Sequence, residues 1–442
     1  MQPTLASPAA TPQLHFPVIR RLPNGLTVVA EQMPIDAVNL SLWLKAGSAL
    51  ESDAINGIAH YLEHMIFKGT PRIRCGEFER FVEERGAVTN AVTSQDYTHF
   101  YITSAPQDFA TLAPLHIDLV MNPCINDQDF ERERPVILEE IRRSQSNPRR
   151  RTFYRSMELA FDRLPYRRQV LGPATVIEQL APQTMRNFHQ CWYQPQNLTA
   201  VAVGNLPVDD LVATIADGFE HAIAHRQLLN SERSQSPLCH QAIHPEQPFQ
   251  NIHRIDHEDI SLQQARLILS WRVPGLSDLG QTYALDVVAS ILGRGRTARL
   301  IRDLREERQL VAGVSASNLT YDHQGVFSIS AQLDVEHLAE VETAIAQQIQ
   351  SLADHGVTAD ELRRVQTQVA NRYIFGSETP SDRAGLYGYY QTMTGDINHA
   401  LHYPAEIQAL TLEDLQQAVQ QFLPSTAYGV MIVRPGDRLD GN

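Results

Sequence analysis

The sequence predicts an α+β protein built from two similar halves, each an antiparallel sheet with helices packed on it. At 442 residues the chain is too long for one ordinary domain. A strand followed by a helix occurs early, at 37–66, and again in "ARLILSWRVPG" (265–275) with "TYALDVVASILGRG" behind it. Turn signals recur without regular βαβ alternation, which favours antiparallel sheets.

A polar, Ser- and Pro-containing segment divides the two halves. It has little hydrophobic periodicity, which is typical of a linker. The predicted divisions are a disordered lead-in at 1–17, an N-terminal domain at 18–224, a linker at 225–250 and a C-terminal domain at 251–442.

The first elements follow from turn chemistry and alternation. In "RRLPNGLTVVAEQMP" Asn24-Gly25 predicts a hairpin turn followed by a strand. The next segment, "AVNLSLWLKAGS" (37–48), alternates apolar and polar residues and predicts a strand with one strongly buried face. Its apolar positions are Val38, Leu40, Leu42 and Leu44, and the other face carries Asn39, Ser41, Trp43 and Lys45.

The ends of the two halves resemble each other as well. Segments 174–205 and 404–437 both contain an isoleucine, a leucine, an amphipathic helix, a proline and a β-rich strand, in that order. In the second segment Thr411 is the expected helix cap. The repeat supports two halves of similar topology.

Composition excludes several classes of protein. With 43% hydrophobic and 20% charged residues the chain is typical of a soluble globular protein, and no apolar run approaches the ~18 residues of a membrane span. A net charge of −14 argues against nucleic-acid binding; it favours cationic partners such as basic peptides, or simply reflects an acidic protein. The N-terminus lacks a secretory pattern, and the four cysteines form no CxxC pair, so a reducing, cytoplasmic location is expected.

One short stretch carries chemistry. In "GIAHYLEHMIFKGT" (57–70), His60 and His64 share a helix face, and Glu63 falls beside them, away from the apolar stripe. This is the inverted zinc pattern HxxEH, in which two neutral imidazoles bind the metal and the glutamate takes a proton from water. The alternative is a pair of solvated or capping histidines.

A third ligand is expected, because two histidines leave zinc short of protein ligands. In "FERERPVILEEIRRSQ" (130–145) Glu140 lies among apolar residues, so we expect a buried carboxylate that needs a partner. A zinc ion is one candidate for that partner, and Arg142 or Arg143 is the other. Manganese or cobalt could occupy such a site, although the ligand set favours zinc.

These residues, with "GAVTNAVTSQDYTHFY" (86–101) and the spacing of 76 positions from His64 to Glu140, resemble the inverzincin metallopeptidases of the pitrilysin/insulinase superfamily. That group includes pitrilysin, insulin-degrading enzyme and mitochondrial processing peptidase. Length and layout look most like a processing-peptidase subunit. The resemblance implies two α/β-sandwich halves that form half of a clamshell, with one Zn²⁺ per chain.

The resemblance also implies roles for single residues. His60, His64 and Glu140 would bind zinc, and Glu63 would be the general base. Glu133, seven residues before Glu140, would orient the site if the helix tolerates Pro135 by starting near it or kinking there; a plain solvated glutamate is the alternative. The candidate substrate-binding residues are Asn90, Ala91 and Arg305, of which the first two could equally belong to an ordinary edge strand.

The family's substrate-gripping pair is incomplete here. Arg305 matches its arginine, but Ala312 stands where the tyrosine is usual. The resemblance therefore implies a catalytic subunit of a dimer, preferably a heterodimer whose homologous partner supplies the pair, with a homodimer as the alternative. The expected activity is zinc-dependent cleavage of unfolded peptides in an enclosed chamber. A non-catalytic core or scaffold subunit is the competing interpretation.

Overall fold

The first sheet is formed by strands from the N-terminal half of the chain. The computed structural model describes residues 16–229 and 244–436. Within the first of these ranges, the strands are β1 Val18–Arg21, β2 Thr27–Gln32, β3 Val38–Leu44, β4 Val88–Thr93, β5 Thr98–Ser104 and β6 Leu198–Gly204. They form one sheet in the order β1-β2-β6-β3-β5-β4, so β4 lies at an edge. The predicted hairpin around Asn24-Gly25 joins β1 to β2.

Helices cover this sheet and extend toward the linker. They are α1 Ile58–Ile66, α2 Glu77–Glu84, α3 Pro106–Met121, α4 Asp127–Ser146, α5 Pro148–Ala160, α6 Ala174–Gln179, α7 Pro182–Trp192 and α8 Val208–Leu229. Residues 225–229, placed in the linker by composition, are helical, because the segment contains no glycine or proline that would end α8. The rest of the predicted linker up to 243, like lead-in residues 1–15, lies outside the described residues.

The second sheet and its helices come from the C-terminal half. The strands are β7 His253–Asp259, β8 Ala265–Val273, β9 Gly313–Leu319, β10 Gly325–Leu333 and β11 Gly429–Pro435. The helices are α9 Leu279–Gly293, α10 Leu338–His355, α11 Ala359–Phe375, α12 Pro380–Thr394, α13 Asn398–Ala409 and α14 Leu412–Phe422. The expected cap is present, since the Thr411 side chain accepts from the Asp414 N–H at the start of α14.

The two sheets share one topology. The order β7-β11-β8-β10-β9 repeats β2-β6-β3-β5-β4 strand for strand, which confirms two homologous α+β halves. The sheets are antiparallel except for one parallel pair in each, β2 with β6 and β7 with β11. Turn signals in the sequence do not reveal these pairs, because the paired strands are separated by most of a half.

Strand β3 is buried on both faces, although alternation predicted one strongly buried face. Leu40 and Leu42 face the main core of the N-terminal half. The opposite face is covered by α12, a helix of the other half, which packs on β3 and β6. Trp43 belongs to a second apolar cluster, which forms between the first sheet and α12. The Asn39 side chain donates a hydrogen bond to the Ser381 hydroxyl on α12 at 3.2 Å.

The second sheet is covered in the same way by a helix of the N-terminal half. Helix α5, from the N-terminal half, packs on β8 and β11 of the second sheet. Its Leu159 joins a small buried cluster with Ile268 and Met431. Each sheet is thus sandwiched between helices of its own half and one helix of the other. Among the described residues, no helix is long and apolar enough to cross a membrane.

The close approach of α12 to Trp43 predicts a stability effect. A Cβ at Gly388 would lie 2.0 Å from Trp43 Nε1, so Gly388→Ala forces the helix off the sheet. We expect it to lower the free energy of unfolding by about 1–3 kcal/mol, the usual effect of overpacking.

Gly385→Ala, one turn away on the same helix, is the matched control. A Cβ there meets nothing within 4 Å, so we expect a gain of about 0.5–1 kcal/mol from helix propensity. Urea unfolding of both variants measures the difference. Equal midpoints would show that α12 does not press on Trp43.

Candidate metal centre

Helix α1 carries the HxxEH residues and begins at a sharp turn. Its N-cap, Gly57, has φ = +100°, a left-handed conformation that favours glycine. A Cβ at this position would also lie 2.5 Å from the carbonyl oxygen of Leu171. The start of the helix is therefore fixed by a position that only glycine fits.

Glu51 caps the same end of α1. Its buried carboxylate accepts from the N–H groups of Gly57 and Ala59 and from the Asn56 side chain, each at 2.8 Å. These contacts satisfy donors that a helix leaves free in its first turn. Burial nevertheless dominates and raises the pKa of Glu51 to about 7.

Helix α1 is held against α4 through Tyr61. Its hydroxyl donates to the carbonyl oxygen of Phe130 on α4, and the two rings stack with centroids 4.5 Å apart. This contact sets the two helices side by side, so that Glu140 on α4 reaches the histidines of α1. Three residues separated by up to 80 positions in sequence meet as a result.

The three ligand candidates converge. The Oε2 atom of Glu140 lies 3.4 Å from His60 Nε2 and 3.6 Å from His64 Nε2, and one donor atom from each residue falls within 4.8 Å of the others. Both distances exceed an ordinary hydrogen bond. They match the edges of about 3.3–3.6 Å expected when ligands surround zinc tetrahedrally at 2.0–2.2 Å. The set of two imidazoles and one carboxylate therefore fits a zinc ion.

Glu133 lies directly behind His64. Its Oε1 is 3.0 Å from His64 Nδ1, and its Oε2 is 2.5 Å from Lys68 Nζ. A carboxylate on Nδ1 fixes the ring and leaves Nε2 free to face a metal. Only 8% of Glu133 is exposed, so the alternative of a solvated glutamate is wrong.

Glu63 lies outside the set of three ligand candidates and contacts the sheet edge. Thr93, at the end of β4, donates to Glu63 Oε2 at 2.5 Å. Burial raises the pKa of the Glu63 carboxyl, and the hydrogen bond from Thr93 opposes that rise. The end of edge strand β4 and the carboxylate beside the histidines are therefore in direct contact.

The electrostatics of the two histidines differ. Burial lowers the pKa of His60 to about 4, which keeps its imidazole neutral, as metal binding requires. Burial also acts on His64, but the adjacent carboxylates of Glu140 and Glu133 outweigh it and raise its pKa. The adjacent imidazole of His64 holds the pKa of the Glu140 carboxyl below its usual range, so that carboxyl stays ionised.

Two sequence expectations about α4 need correction. The Glu140 side chain is 39% exposed, not buried, because α4 turns Phe130, Ile137 and Ile141 into the core and leaves Glu140 at the margin facing α1. The helix also does not start near Pro135. It begins at Asp127 and runs through the proline, whose missing N–H falls on an exposed side of the helix.

The candidate substrate residues lie in two places. Asn90 and Ala91 lie on edge strand β4, where the Ala91 N–H donates to Asn90 Oδ1 at 2.9 Å. Arg305 lies in a π-helical segment, Ile301–Glu307, and pairs with Glu306 at 2.5 Å. No hydrogen bond or ion pair between described residues joins Arg305 to the histidine cluster.

Sequence reasoning missed three supporting residues: Glu51, Lys68 and Thr93. Lys68 follows His64 by four positions, a helical spacing that could have suggested it. Thr93 ends the strand proposed to border the cleft. Glu51 has no local signal, because it caps α1 from a preceding loop.

Comparison with known families agrees with this geometry. Residues 27–174, which hold the histidines and Glu140, match the model of Insulinase (Peptidase family M16), and residues 179–369 match that of the Peptidase M16 inactive domain. The two matches follow one another along most of the chain. The chain belongs to peptidase family M16, within the insulinase/pitrilysin superfamily.

Named relatives are similar over nearly the whole length. An uncharacterized zinc protease of Mycobacterium tuberculosis is 27% identical over 97% of this chain and 95% of its own. The zinc protease PqqE of Helicobacter pylori is 25% identical over 94% and 92%. In fold, the chain resembles the crystal structure of a Helicobacter pylori protease, with a TM-score of 0.86 at 24% identity over 95% of this chain and 99% of the other.

The contact between Glu133 and His64 predicts an effect on metal affinity. Glu133→Ala frees the His64 ring, so zinc should bind about 10–100-fold more weakly. Competition with a chromophoric chelator measures this directly. Glu139→Ala, which removes an exposed carboxylate next to Glu140 on the same helix, should leave affinity unchanged; similar losses in both variants would contradict the role of Glu133.

Glu51 predicts a pH dependence of stability. Its pKa in the folded state is raised above the ordinary value of 4.5, so the fold favours the neutral form. The folded chain then binds more protons than the unfolded chain between about pH 4.5 and pH 7, and this group's contribution falls as pH rises through that window. Glu51→Gln stays neutral throughout.

The measurement is the free energy of unfolding of both proteins at pH 5 and pH 8. Relative to Glu51→Gln, the wild-type chain should lose on the order of 2 kcal/mol between these values. Parallel curves for the two proteins would mean that Glu51 is ionised across the range.

Proposed function

We propose that this chain is a zinc-dependent metalloendopeptidase that cleaves unfolded peptides in an enclosed chamber. The observation that carries the proposal is the convergence of His60, His64 and Glu140, with Glu63 beside them and outside the ligand set. The curated relatives named above are called zinc proteases. One Zn²⁺ per chain follows from one such cluster in the described residues.

The roles of the residues follow from their positions. His60, His64 and Glu140 would hold the zinc, and Glu133 would orient His64. When bound there, zinc would lower the pKa of water and polarise the scissile carbonyl. Glu63 would accept the proton of the attacking water and pass it to the departing amine.

Strand β4 would position the substrate. It is an edge strand that ends at Thr93, in contact with Glu63. An extended peptide can add to such an edge through main-chain hydrogen bonds. The Ala91 N–H would become one of the donors once the Asn90 side chain turned away from it.

We also propose that the active form is a dimer, as in a processing-peptidase-type subunit, and favour a heterodimer. This chain covers 48% of the periplasmic protease PqqL of Escherichia coli, at 20% identity, and so has the size of one half of that fold. A second, homologous subunit would close the chamber and supply the Arg/Tyr pair that is incomplete at Ala312. A homodimer would have to grip substrate with Arg305 alone.

The competing candidate is a scaffold subunit without activity. The family model described as inactive matches residues 179–369, whereas the candidate ligands lie within 27–174. That distribution supports catalysis by the N-terminal half. A chain that binds zinc and leaves cleavage to a partner would have the same distribution of matches.

The Glu63→Gln variant distinguishes the peptidase from the scaffold subunit. The amide that replaces the carboxylate cannot take a proton, so cleavage of an unstructured peptide should fall by at least about 10²–10⁴-fold while zinc content stays at one per chain. Glu79→Gln, on neighbouring helix α2, controls for loss of a carboxylate. Undiminished cleavage by the Glu63→Gln chain would overturn the assignment; no cleavage by the zinc-loaded wild-type chain, alone or with a homologous partner, would favour the scaffold.

A further inference from the structure

The outer face of the second sheet is only partly covered. Helix α5 packs on β8 and β11 through Leu159, Ile268 and Met431. Toward β10 and edge strand β9 the helix and the sheet separate, and a cavity of about 470 Å³ lies between them. We call this cavity the α5 groove.

Four serine hydroxyls line the sheet side of the α5 groove, which we call its floor. Ser328 of β10 pairs across the ladder with Ser317 of β9, and Ser330 pairs with Ser315, so all four share the outer face. Ser317 Oγ and Ser328 Oγ are 3.0 Å apart. These hydroxyls offer hydrogen-bond donors and acceptors beside apolar lining from Ile268, Leu319 and Val326.

The wall is one face of α5. Arg149, Thr152, Phe153 and Ser156 line the groove at helical spacing. From the floor, Arg266 of β8 points into the same space. Two arginines, one from each half, therefore face one cavity.

Neither arginine has a charged partner. Among residues 16–229 and 244–436, no carboxylate lies within 4.0 Å of the guanidinium of Arg149 or Arg266. Arg266 donates to the side chain of Gln332, but its Nε is buried without an acceptor. Nearby Arg151, in contrast, is paired with Asp259 at 2.6 Å.

An anion between the two guanidinium groups would be favourable, although Arg149 is exposed and only Arg266 is partly buried. Burial, and after it repulsion from Arg149, lowers the pKa of Arg266. Like charges in a partly buried space repel strongly, because water screens them poorly. In a peptide the only common anionic group is a carboxylate, and bidentate guanidinium contacts suit it.

The chain that links the candidate metal centre to the α5 groove is short. From Glu140 to Ser146, at the end of α4, the helix rises about 9 Å, and Arg149 follows in the first turn of α5. An extended peptide advances about 3.3 Å per residue. Arg149 lies nine positions after Glu140, so their Cα atoms are at most about 20 Å apart, and an extended peptide covers that distance in about six residues.

We propose that the α5 groove binds a carboxylate of the peptide substrate, so that the protein selects peptides with an acidic group within about six residues of the cleaved bond. The carboxylate is either an Asp or Glu side chain or the C-terminus. The proposal rests on the proposed peptidase function. It reverses the preference for basic peptides that the net charge of −14 suggested.

Binding is measured first, with the Glu63→Gln chain, so that cleavage does not interfere. Three peptides carry the same neutral fluorophore. The first has Glu at several positions within about six residues of the bond to be cleaved and an amidated C-terminus, the second is its Gln counterpart, and the third is the Gln peptide with a free C-terminus. Fluorescence anisotropy gives the three dissociation constants. We expect the carboxylate that the groove accepts to tighten binding on the order of tenfold over the amidated Gln peptide.

Arg149→Gln and Arg266→Gln, each added to Glu63→Gln, should abolish that tenfold preference, and Arg149→Lys should retain part of it. Arg363→Gln, which removes an exposed arginine paired with Asp360 on α11, should not change it. Equal affinities for all three peptides, or a preference that survives both Gln variants, would overturn the proposal.

Cleavage by the wild-type chain separates this proposal from the proposed function. With Glu63 intact, the preferred peptide should show a lower KM and a similar kcat. Cleavage without any acidic preference would leave the peptidase standing and refute the groove. Binding of the acidic peptide that depends on both arginines, without any cleavage, would support the groove and refute the peptidase.

Discussion

Each half of this protein exposes a sheet face that its own helices do not cover, and the other half covers it. Helix α12 closes the first sheet through buried polar contacts, since Glu31 accepts from Arg383 at 2.6 Å and from Tyr387 at 2.9 Å. Helix α5 closes the second. Contacts of this kind stabilise only when every partner is present, because an unpaired buried charge is strongly destabilising. Each half therefore depends on the other for its outer layer.

The candidate metal centre follows from this exchange. Because both faces of the first sheet are occupied, its backbone remains accessible at its two edge strands, of which β4 is the one beside α1. Helix α1 is fixed beside that edge by the cap from Glu51 and the contact of Tyr61 with α4. Glu63 then touches the last residue of β4. Cleavage of a peptide added to β4 would need this proximity. The contacts that produce it, made by Glu51 and Tyr61, involve none of the candidate metal ligands.

What the sequence predicts well is local. The histidines, Glu63 and their helix follow from spacing within one turn, and the repeated order of strands and helices follows from periodicity. Glu140 was found by an expectation of burial that proved incorrect, since the residue is half exposed and meets the histidines through helix packing. The burial of Trp43 could not be predicted, because the covering helix lies more than 330 residues further along the chain. The cap from Glu51 is invisible for a related reason, since a buried carboxylate and an exposed one look alike in sequence.

Net charge is also a poor predictor of the preferred peptide, because it takes no account of where the charges lie. A surplus of carboxylates repels an acidic peptide in solution, but salt screens that repulsion beyond about 8–10 Å. Inside the α5 groove, Arg149 and Arg266 act over shorter distances in a partly buried space, where a charge pair is far stronger. The two effects also fall on different steps, since long-range repulsion slows encounter and short-range pairing slows release. An acidic protein can therefore hold acidic peptides longer than basic ones, and the local arginines rather than the total charge decide which peptide stays beside the metal centre.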